Sequence, residues 1–548
     1  MKKYFQKCFV LIIALIMIFG AVACTKTGTD VSNNKITIML KGWANKPIED
    51  SNDPYKAYIL ENYGLDATLM SVDDFDNTAA TTLASDNPPD IISFPTLTSM
   101  DDYYEQEVLI DDWTPYLDKM PHIKEFINAP GRELLKMRFT TPDGKLKAIY
   151  TYPEAANWGL KIRKDWLLKY DEINGTNFAE TGPETDDDLL AIARYFRNGD
   201  PDGNGVKDTY AFTTAGNGAS FGTMGTWVPL MYGSVSVEPH GAYINEAGEV
   251  SFGVLDGSHK QMLDFVKTME DEDLIDPNWF TQTWADKVIT KQGKVGIEWY
   301  TGAITQETQL YQDGLAEQNG TEPVNTLDWW ETYPVPDGTD DGTGGKMAGG
   351  NAFNVKALSV SYKLASNPVL MDKVCAFLDA VWLRSDGSRS EAYDALRWGV
   401  GVEEGLEFQQ IEGMEDVVYI NKWVRDDLFW LTNAGAVDWG AWFSSTSDGV
   451  VQGDQEKPDE FTMKVAEHNR KASTYPSGVQ IGSLLSVNAV MLNRLITMRD
   501  QYEIQYVKSS SDIKYKTYDD FVAAWKKTGG DEFLEIAEEQ FRELGFLK

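Results

Sequence analysis

The sequence predicts an α/β protein made of more than one domain. At 548 residues the chain is longer than one hydrophobic core commonly spans, so two or three domains or lobes are expected. It is 42% hydrophobic and 12% aromatic, far too apolar for a disordered chain. From residue 36 onward, short apolar runs alternate with segments of helical periodicity, the pattern of a largely parallel sheet covered by helices.

The first residues read as an address. Lys2, Lys3 and Lys7 form a positive start, and the apolar run Phe9 to Val22 has the length of a signal-peptide core rather than a membrane span. Gly20-Ala21-Val22-Ala23-Cys24 puts small residues directly before a cysteine. It resembles a bacterial lipoprotein box, with Ala21 where such boxes usually carry Leu. Residues 1–23 are therefore expected to be a cleaved signal peptide, Cys24 the lipidated residue, and 24–34 a polar tether. The alternative is an ordinary secretory signal followed by an incidental cysteine. No later run is long enough to cross a bilayer, so a soluble body on a lipid anchor is expected.

In the body, Ile36 to Leu40 reads as a buried strand, Asp53 to Tyr63 as a helix stopping near Gly64, and Leu65 to Met70 as a second strand. Phe75 to Ser85 reads as a helix and Pro89 to Phe94 as a third strand. Ligands of open α/β sheets sit beyond the strand C-terminal ends, which places Trp43 and Phe94 where a ligand would lie. Thr185 with Asp188 reads as a capping box opening an amphipathic helix. Asp337–Gly350 is rich in Gly and Asp and reads as a loop or crossing. Pro368–Leu383 has helical periodicity that buries Cys375 as an inert core thiol. Thr517 to Asp520 opens a late helix that Gly529-Gly530 is expected to stop. No solenoid-type repeat is present.

Composition excludes several functions. Lys+Arg total 49 against 85 Asp+Glu, a formal charge of −36, so no nucleic acid and no polybasic grip on lipid is expected. The three cysteines, Cys8, Cys24 and Cys375, cannot build a disulfide scaffold, and four histidines leave little for a histidine-rich metal centre. There is no G-x-S-x-G, H-E-x-x-H or P-loop motif, and no Cys/His cluster.

Asp200-x-Asp202-x-Asn204-Gly205-Val206-x-Asp208 matches the start of an EF-hand calcium loop. Alternate oxygen ligands converge as the chain curls, Gly205 permits the turn, and the Val206 carbonyl adds a backbone ligand. The twelfth position is Ala211 rather than a bidentate Glu, so water or another segment must complete the shell. A structural Ca²⁺ is expected here; the alternative is a solvated acidic turn. The chain also holds 17 Trp, 25 Tyr and 24 Phe, suited to stacking on the C–H faces of sugar rings while Asp, Asn, Glu and Arg bind hydroxyls.

The order of short motifs resembles the family 1 extracellular solute-binding proteins, in their long lipoprotein branch. Beyond the lipobox, Leu83-Ala84-Ser85-Asp86-Asn87-Pro88-Pro89-Asp90-Ile91-Ile92 is similar to the family's "LASGDxPDII", departing from it at Asp86-Asn87. Asp143 to Ile149 is similar to "DGKxYAI", and Ile162 to Leu167 to "IRKDWL". Leu274 to Pro277, Gly293 to Ile297, Asn367-Pro368 and Asp520-Phe521…Trp525…Gly529-Gly530 follow in order.

The resemblance implies a two-lobe periplasmic-binding-protein-like fold of the maltose-binding type with an interlobe ligand cleft. Lobe 1 would be 35–157 plus 335–400, and lobe 2 would be 158–334 plus 401–548. It implies a carbohydrate ligand, an ABC-transporter permease as partner, a monomer, and a place on the extracellular face of the cytoplasmic membrane through the lipid anchor. It also singles out Trp299, after the Gly293–Ile297 strand, as a stacking residue; among the aromatics at expected loop tips, Trp43 after the first strand and Asn157-Trp158 at the first crossing rank with it, and Asp438, Trp439 and Trp442 rank next. Trp166 and Trp525 are expected to pack rather than bind. Lys41, Lys46, Arg163 and Arg397 are scattered candidates for an anionic ligand. Two other functions remain open at this point: a secreted glycan-active hydrolase using two carboxylates, and a glycan-docking adhesin that hands nothing to a permease.

Overall fold

A computed structural model of the chain describes residues 34–41, 53–72, 75–83, 88–95, 97–130, 132–151, 158–233, 242–245, 247–339, 344–345, 355–382, 384, 388, 390–398, 409–410, 417–418, 431, 460–473 and 481–547. Cys24, Trp43, Asn157, Asp438, Trp439 and Trp442 lie outside the described residues, as does part of Asp337–Gly350.

The strands follow the apolar runs. In chain order they are β1 (Lys35–Lys41), β2 (Asp66–Val72), β3 (Ile91–Phe94), β4 (Ile149–Tyr150), β5 (Gly159–Arg163), β6 (Tyr210–Phe212), the hairpin β7 (Tyr243–Ile244) and β8 (Val250–Ser251), then β9 (Val295–Tyr300), β10 (Trp330–Tyr333) and β11 (Ala357–Val360). Helix Pro54–Tyr63 is capped by the Asp53 carboxylate and closed by Gly64 at φ 63°. Helix Asp186–Asn198 opens with the Thr185/Asp188 capping box read from the sequence. Helix Pro368–Ala380 buries Leu370, Met371, Val374, Cys375, Phe377 and Leu378, and burial pushes the Cys375 thiol up to about 11.

Two sheets result, in the orders β2-β1-β3-β11-β4 and β10-β5-β9-β6. Each has its own core. Residues from Ile36 to Tyr150 and Val355 to Leu396 form the first, together with Leu431 and Leu484. Residues from Leu160 to Val335 and Leu485 to Phe541 form the second.

The sheets are mixed rather than largely parallel. The pairs β1–β2, β1–β3 and β6–β9 are parallel, whereas β3–β11, β4–β11, β5–β9 and β5–β10 are antiparallel. Connectivity explains this. The chain leaves the first sheet at the C-terminal end of β4 and returns at the N-terminal start of β11, and the Ala357↔Tyr150 and Ala357↔Phe94 pairs put both at one edge. A strand entering at that edge runs opposite to its neighbours. The start of β5 and the end of β10 impose the same geometry on the second sheet. The chain therefore crosses between sheets at the edge holding the C-terminal ends of β3, β9 and β10, the kind of edge at which ligands of open α/β sheets sit.

Gly529-Gly530 reorients the chain instead of ending it. A single π turn, Lys526–Gly530 with Gly529 at φ 137°, leads straight into helix Asp531–Glu543.

Helix Glu460–Ser473 lies over β5 and β10 and closes a buried polar row. Lys161 Nζ donates to Thr332 Oγ1 at 2.7 Å, and Thr332 Oγ1 lies 2.8 Å from His468 Nδ1. Burial carries Lys161 from 10.5 down to about 7 and His468 down to about 3, so the imidazole is neutral and can accept the Thr332 proton. Because the unfolded lysine holds its proton up to about pH 10.4, the folded state is penalised as pH falls from there toward 7, and the penalty is constant below the folded value. Lys161→Met is expected to raise the melting temperature more at about pH 6 than at about pH 10. An equal gain at both, read by calorimetry, would show that the lysine is not desolvated.

Candidate functional site: an aromatic face at the crossing edge of the second sheet

The site grows from strand parity. Side chains alternate along β9, so Ile297 and Trp299 point to one face while Glu298 and Tyr300 point to the other. The first face joins Leu160 and Ile162 in the second core. The second carries Tyr300 with Ile304 and Trp330, and Trp158 packs against them.

Tyr300 ends β9 opposite Gly159, and Trp158 immediately precedes β5, so both stand at the crossing edge. The loop after β6 and the loop after Ile275 are zipped together, Gly216 N donating to Trp279 O at 2.8 Å and Gly218 N to Phe280 O at 2.7 Å. Asn217 sits at φ 51° in this turn. The zipped loops bring Trp284 up to β9. Its ring stacks on Tyr300 with centroids 5.1 Å apart and planes 5° off parallel. Trp158 lies 5.5 Å from Tyr300 and 6.1 Å from Trp284. Trp284 keeps 42% of its surface exposed, so the cluster presents an aromatic face at the edge.

Electrostatics fix this face. Lys287 Nζ lies 4.3 Å from the Trp284 centroid and 5.4 Å from that of Tyr300. Beneath it, both Glu298 carboxylate oxygens lie 2.6 Å from Lys287 Nζ, and Thr290 Oγ1 also donates to Glu298. Tyr300 Oη donates to Glu307 Oε1 at 2.7 Å. Burial, then the Glu307 carboxylate, hold its phenol well above the ordinary value, so it remains a donor. Beyond the cluster, Gln282 Nε2 donates to Thr214 O at 2.6 Å and to Asp276 Oδ2 at 2.9 Å, which orders the loop ends at this edge.

Of the residues singled out in the sequence, Trp158 is in this face. Trp299 is not: it is 3% exposed and belongs to the second core. Phe94 does end β3 at the crossing edge, but its ring is buried edge-on against Phe75 and Tyr103, at 6.1 and 5.4 Å. In both cases strand parity turns the ring into the core. Trp166 and Trp525 pack as expected. Arg163 lies at the opposite end of β5, between Trp166 and Trp329 and paired to Asp165 at 2.7 and 2.6 Å, and serves packing there. The sequence reading takes Trp299 from the adjacent pair Trp299-Tyr300 and does not single out Trp284. The signal was present: Tyr300 shares parity with the charged Glu298, and a charge on a central strand marks the face away from the main core.

The acidic loop lies at the far end of the second sheet, because Asp208 precedes β6 and Lys294 precedes β9. Asp200 at φ 50° and Gly203 and Gly205 at φ 71° and 78° curl the chain. Asp200 Oδ1 and Oδ2 accept from Asn204 N and Gly205 N, each at 3.0 Å. Asn204 Nδ2 donates to Asp202 at 2.7 Å and to Asp208 at 3.1 Å. Burial, followed by the hydrogen bond to Asp200, raises the Asp202 carboxyl, whereas the Lys294 ammonium lowers Asp208. Among the described residues no three His, Cys, Asp or Glu side chains are gathered as a ready metal centre.

Two sheets with separate cores, joined by crossings at one edge of each, constitute the two-lobe fold of the extracellular solute-binding proteins. No protein-family model matches the chain. Its sequence is similar to lipoprotein LipO of Bacillus subtilis, with 21% identity over 427 residues, 76% of this chain and 75% of LipO. It is similar also to the polygalacturonan/rhamnogalacturonan-binding protein YtcQ of the same organism, with 23% identity over 429 residues, 77% of this chain and 75% of YtcQ. The fructooligosaccharide ABC transporter substrate-binding protein FusA of Streptococcus pneumoniae is 28% identical over 216 residues, 37% of each chain. The structure of FusA in complex with kestose matches 93% of this chain and 99% of its own, with a TM-score of 0.58 at 16% identity. The resemblance read from the order of motifs is borne out.

Proposed function

We propose that this chain is the sugar-capturing component of an ABC transporter, tethered through Cys24 to the extracellular face of the membrane, which takes up an oligosaccharide between its lobes as a monomer and passes it to the permease. One observation carries the reading: the exposed Trp284 ring, backed by Tyr300 and flanked by Trp158, at the edge where the chain crosses between lobes. Stacked aromatics bind sugar C–H faces without needing a reacting group, so capture and release involve no covalent step. LipO and FusA are named as a lipoprotein and a transporter component respectively, which supports the anchor and the partner. Among the described residues no helix is long and apolar enough to cross a membrane.

Titration of intrinsic fluorescence with neutral fructo- and galacto-oligosaccharides tests the site. Trp284→Ala is expected to weaken the best ligand by about 2 kcal/mol, roughly thirtyfold, while its exposure keeps the loss of stability below about 1 kcal/mol. Unchanged affinity would remove the platform from the site. Release of reducing sugar from the same panel would instead favour a hydrolase.

The acidic loop is proposed to hold a structural Ca²⁺. Its donors are hard oxygens, and the Asn204 amide now bridges Asp202 and Asp208, the place a cation would take. Turning that amide over presents Oδ1 to the ion, so Asp200, Asp202, Asn204, Asp208 and the Val206 carbonyl would supply the shell. A structure of FusA carries an EF-hand mutation, in line with such a loop in that protein. The site lies away from the crossing edge and would stiffen the lobe. Calcium in excess over chelator is expected to raise the melting temperature by about 2–4 °C, and Asp202→Ala to abolish the rise. Calorimetry giving one temperature with calcium and with chelator would eliminate the site.

A further inference from the structure

A groove of about 420 Å³ lies along helix Ala489–Val507. That volume is within the range of small-molecule sites. Its composition is unusual for this chain. The lining includes Arg494 and Lys514 and no carboxylate, in a protein with 85 acidic and 49 basic residues. Most described cations have an acidic partner, yet no described carboxylate pairs with Arg494 or Lys514. Lys514 Nζ lies instead 5.0 Å from the Tyr515 centroid. The guanidinium rests on bare backbone: a Cβ added at Gly529 would come within 2.7 Å of Arg494 Nη2, and the φ of 137° there requires glycine.

The floor is aromatic. Tyr502, 1% exposed, stacks on Phe521 at 4.2 Å with planes 2° off parallel, and its buried hydroxyl has no hydrogen-bond partner among the described residues. A buried donor without an acceptor is costly and uncommon. The nearby acids are already engaged: Asp264 accepts from Tyr506 Oη and Lys260 Nζ, and Asp520 accepts from Thr517 N. Burial pushes the Tyr502 phenol up to about 12, which keeps its proton on as a donor. Gln501 and Gln505 supply amides along the wall, and Gln505 Oε1 already accepts from Lys514 N at 3.1 Å.

We propose that this groove binds a carboxylated sugar, a hexuronate unit, separately from the cleft. The Arg494 fork takes the carboxylate and Lys514 adds a second positive charge. The glutamine amides take ring hydroxyls, and the Tyr515 ring receives the C–H face. A bare phosphate would leave the amides and the ring unused. The unit could arrive as a free sugar acid or within an anionic polysaccharide, and both share this chemistry.

Isothermal titration of the full chain with sodium D-galacturonate, D-galactose and trigalacturonate tests it. Galacturonate is expected to bind where galactose does not. Arg494→Gln is expected to weaken it at least about tenfold with an unchanged melting temperature, since Arg494 is exposed. Trp284→Ala is expected to leave it unaltered, which separates this groove from the cleft. Tighter binding of trigalacturonate identifies a polymer as the source, and equal binding a free sugar acid. No binding of galacturonate, binding by Arg494→Gln equal to that of the unaltered chain, or loss in Trp284→Ala instead would overturn the proposal.

Discussion

Glu298→Gln is expected to destabilise the protein by about 3–5 kcal/mol, although the substitution preserves shape. The Glu298 side chain is 1% exposed and that of Lys287 4%, and the Glu298 carboxylate faces the ammonium with both oxygens. Once the carboxylate is neutral, a buried ammonium has lost its counter-charge, and its desolvation is no longer offset. Affinity should fall as well. Lys287 sits on the loop that carries Trp284, and its contact with Glu298 fixes that loop to β9 beneath the aromatic face. Urea unfolding should show a lower midpoint at an unchanged slope, and sugar titration a weaker complex. The double variant Lys287→Met with Glu298→Leu separates the two effects. With both charges gone, stability should return to near the starting value or exceed it, while the cation under Trp284 stays absent and affinity stays low. A Glu298→Gln midpoint equal to that of the unaltered chain would mean that water reaches the pair.

Much of the fold is legible in the sequence because it rests on local signals. The strands at Ile36 and Ile91, the Thr185 cap and the Gly64 stop all appear as their residues dictate, while Asp53, read as the first residue of its helix, caps it instead. Strand direction was less legible. Nothing local marks β11 as antiparallel; its direction follows from where the chain re-enters the sheet, a relation between segments over two hundred residues apart such as Thr151 and Lys356. The Gly529-Gly530 pair misled for a related reason. A glycine in an unusual backbone conformation can end a helix or bend the chain into the next one, and the following acidic residues Asp531 and Glu532, favourable at a helix start, decide for the bend.

The aromatic face shows the limit most sharply. The family resemblance points to the end of β9, and the structure places an aromatic face there. Which of two adjacent rings belongs to that face depends on parity, and a shift of one residue exchanges core for surface. The sequence carried that parity in Lys161 and Glu298, which are register partners on the face away from the second core. Trp284 had no such signal, since its loop is brought to β9 by backbone hydrogen bonds to another loop.

Parity also decides what Trp299→Ala should do. The stacking role that the resemblance implies for Trp299 would give a variant that loses sugar affinity and keeps its fold. The buried ring predicts the reverse. Trp299 packs with Leu160 and Ile297 in the second core, and deleting its indole leaves a cavity between the sheet and the helices covering it. Large aromatic deletions of this kind cost about 3–5 kcal/mol, the spread reflecting how far neighbours collapse. The neighbours here are strand residues held by the β5–β9 ladder, so little collapse is expected and the cost should lie toward the upper end. Affinity per folded molecule should change by less than about threefold, below 1 kcal/mol, because Tyr300 and the Trp284 ring stacked on it lie on the opposite side of the strand. Denaturant unfolding and sugar titration on the same preparation distinguish the two readings. If Trp299→Ala retained its unfolding midpoint and lost its ligand, the β9 side chains would be facing the other way, and the aromatic face assigned to Tyr300 would have to be rebuilt around Trp299.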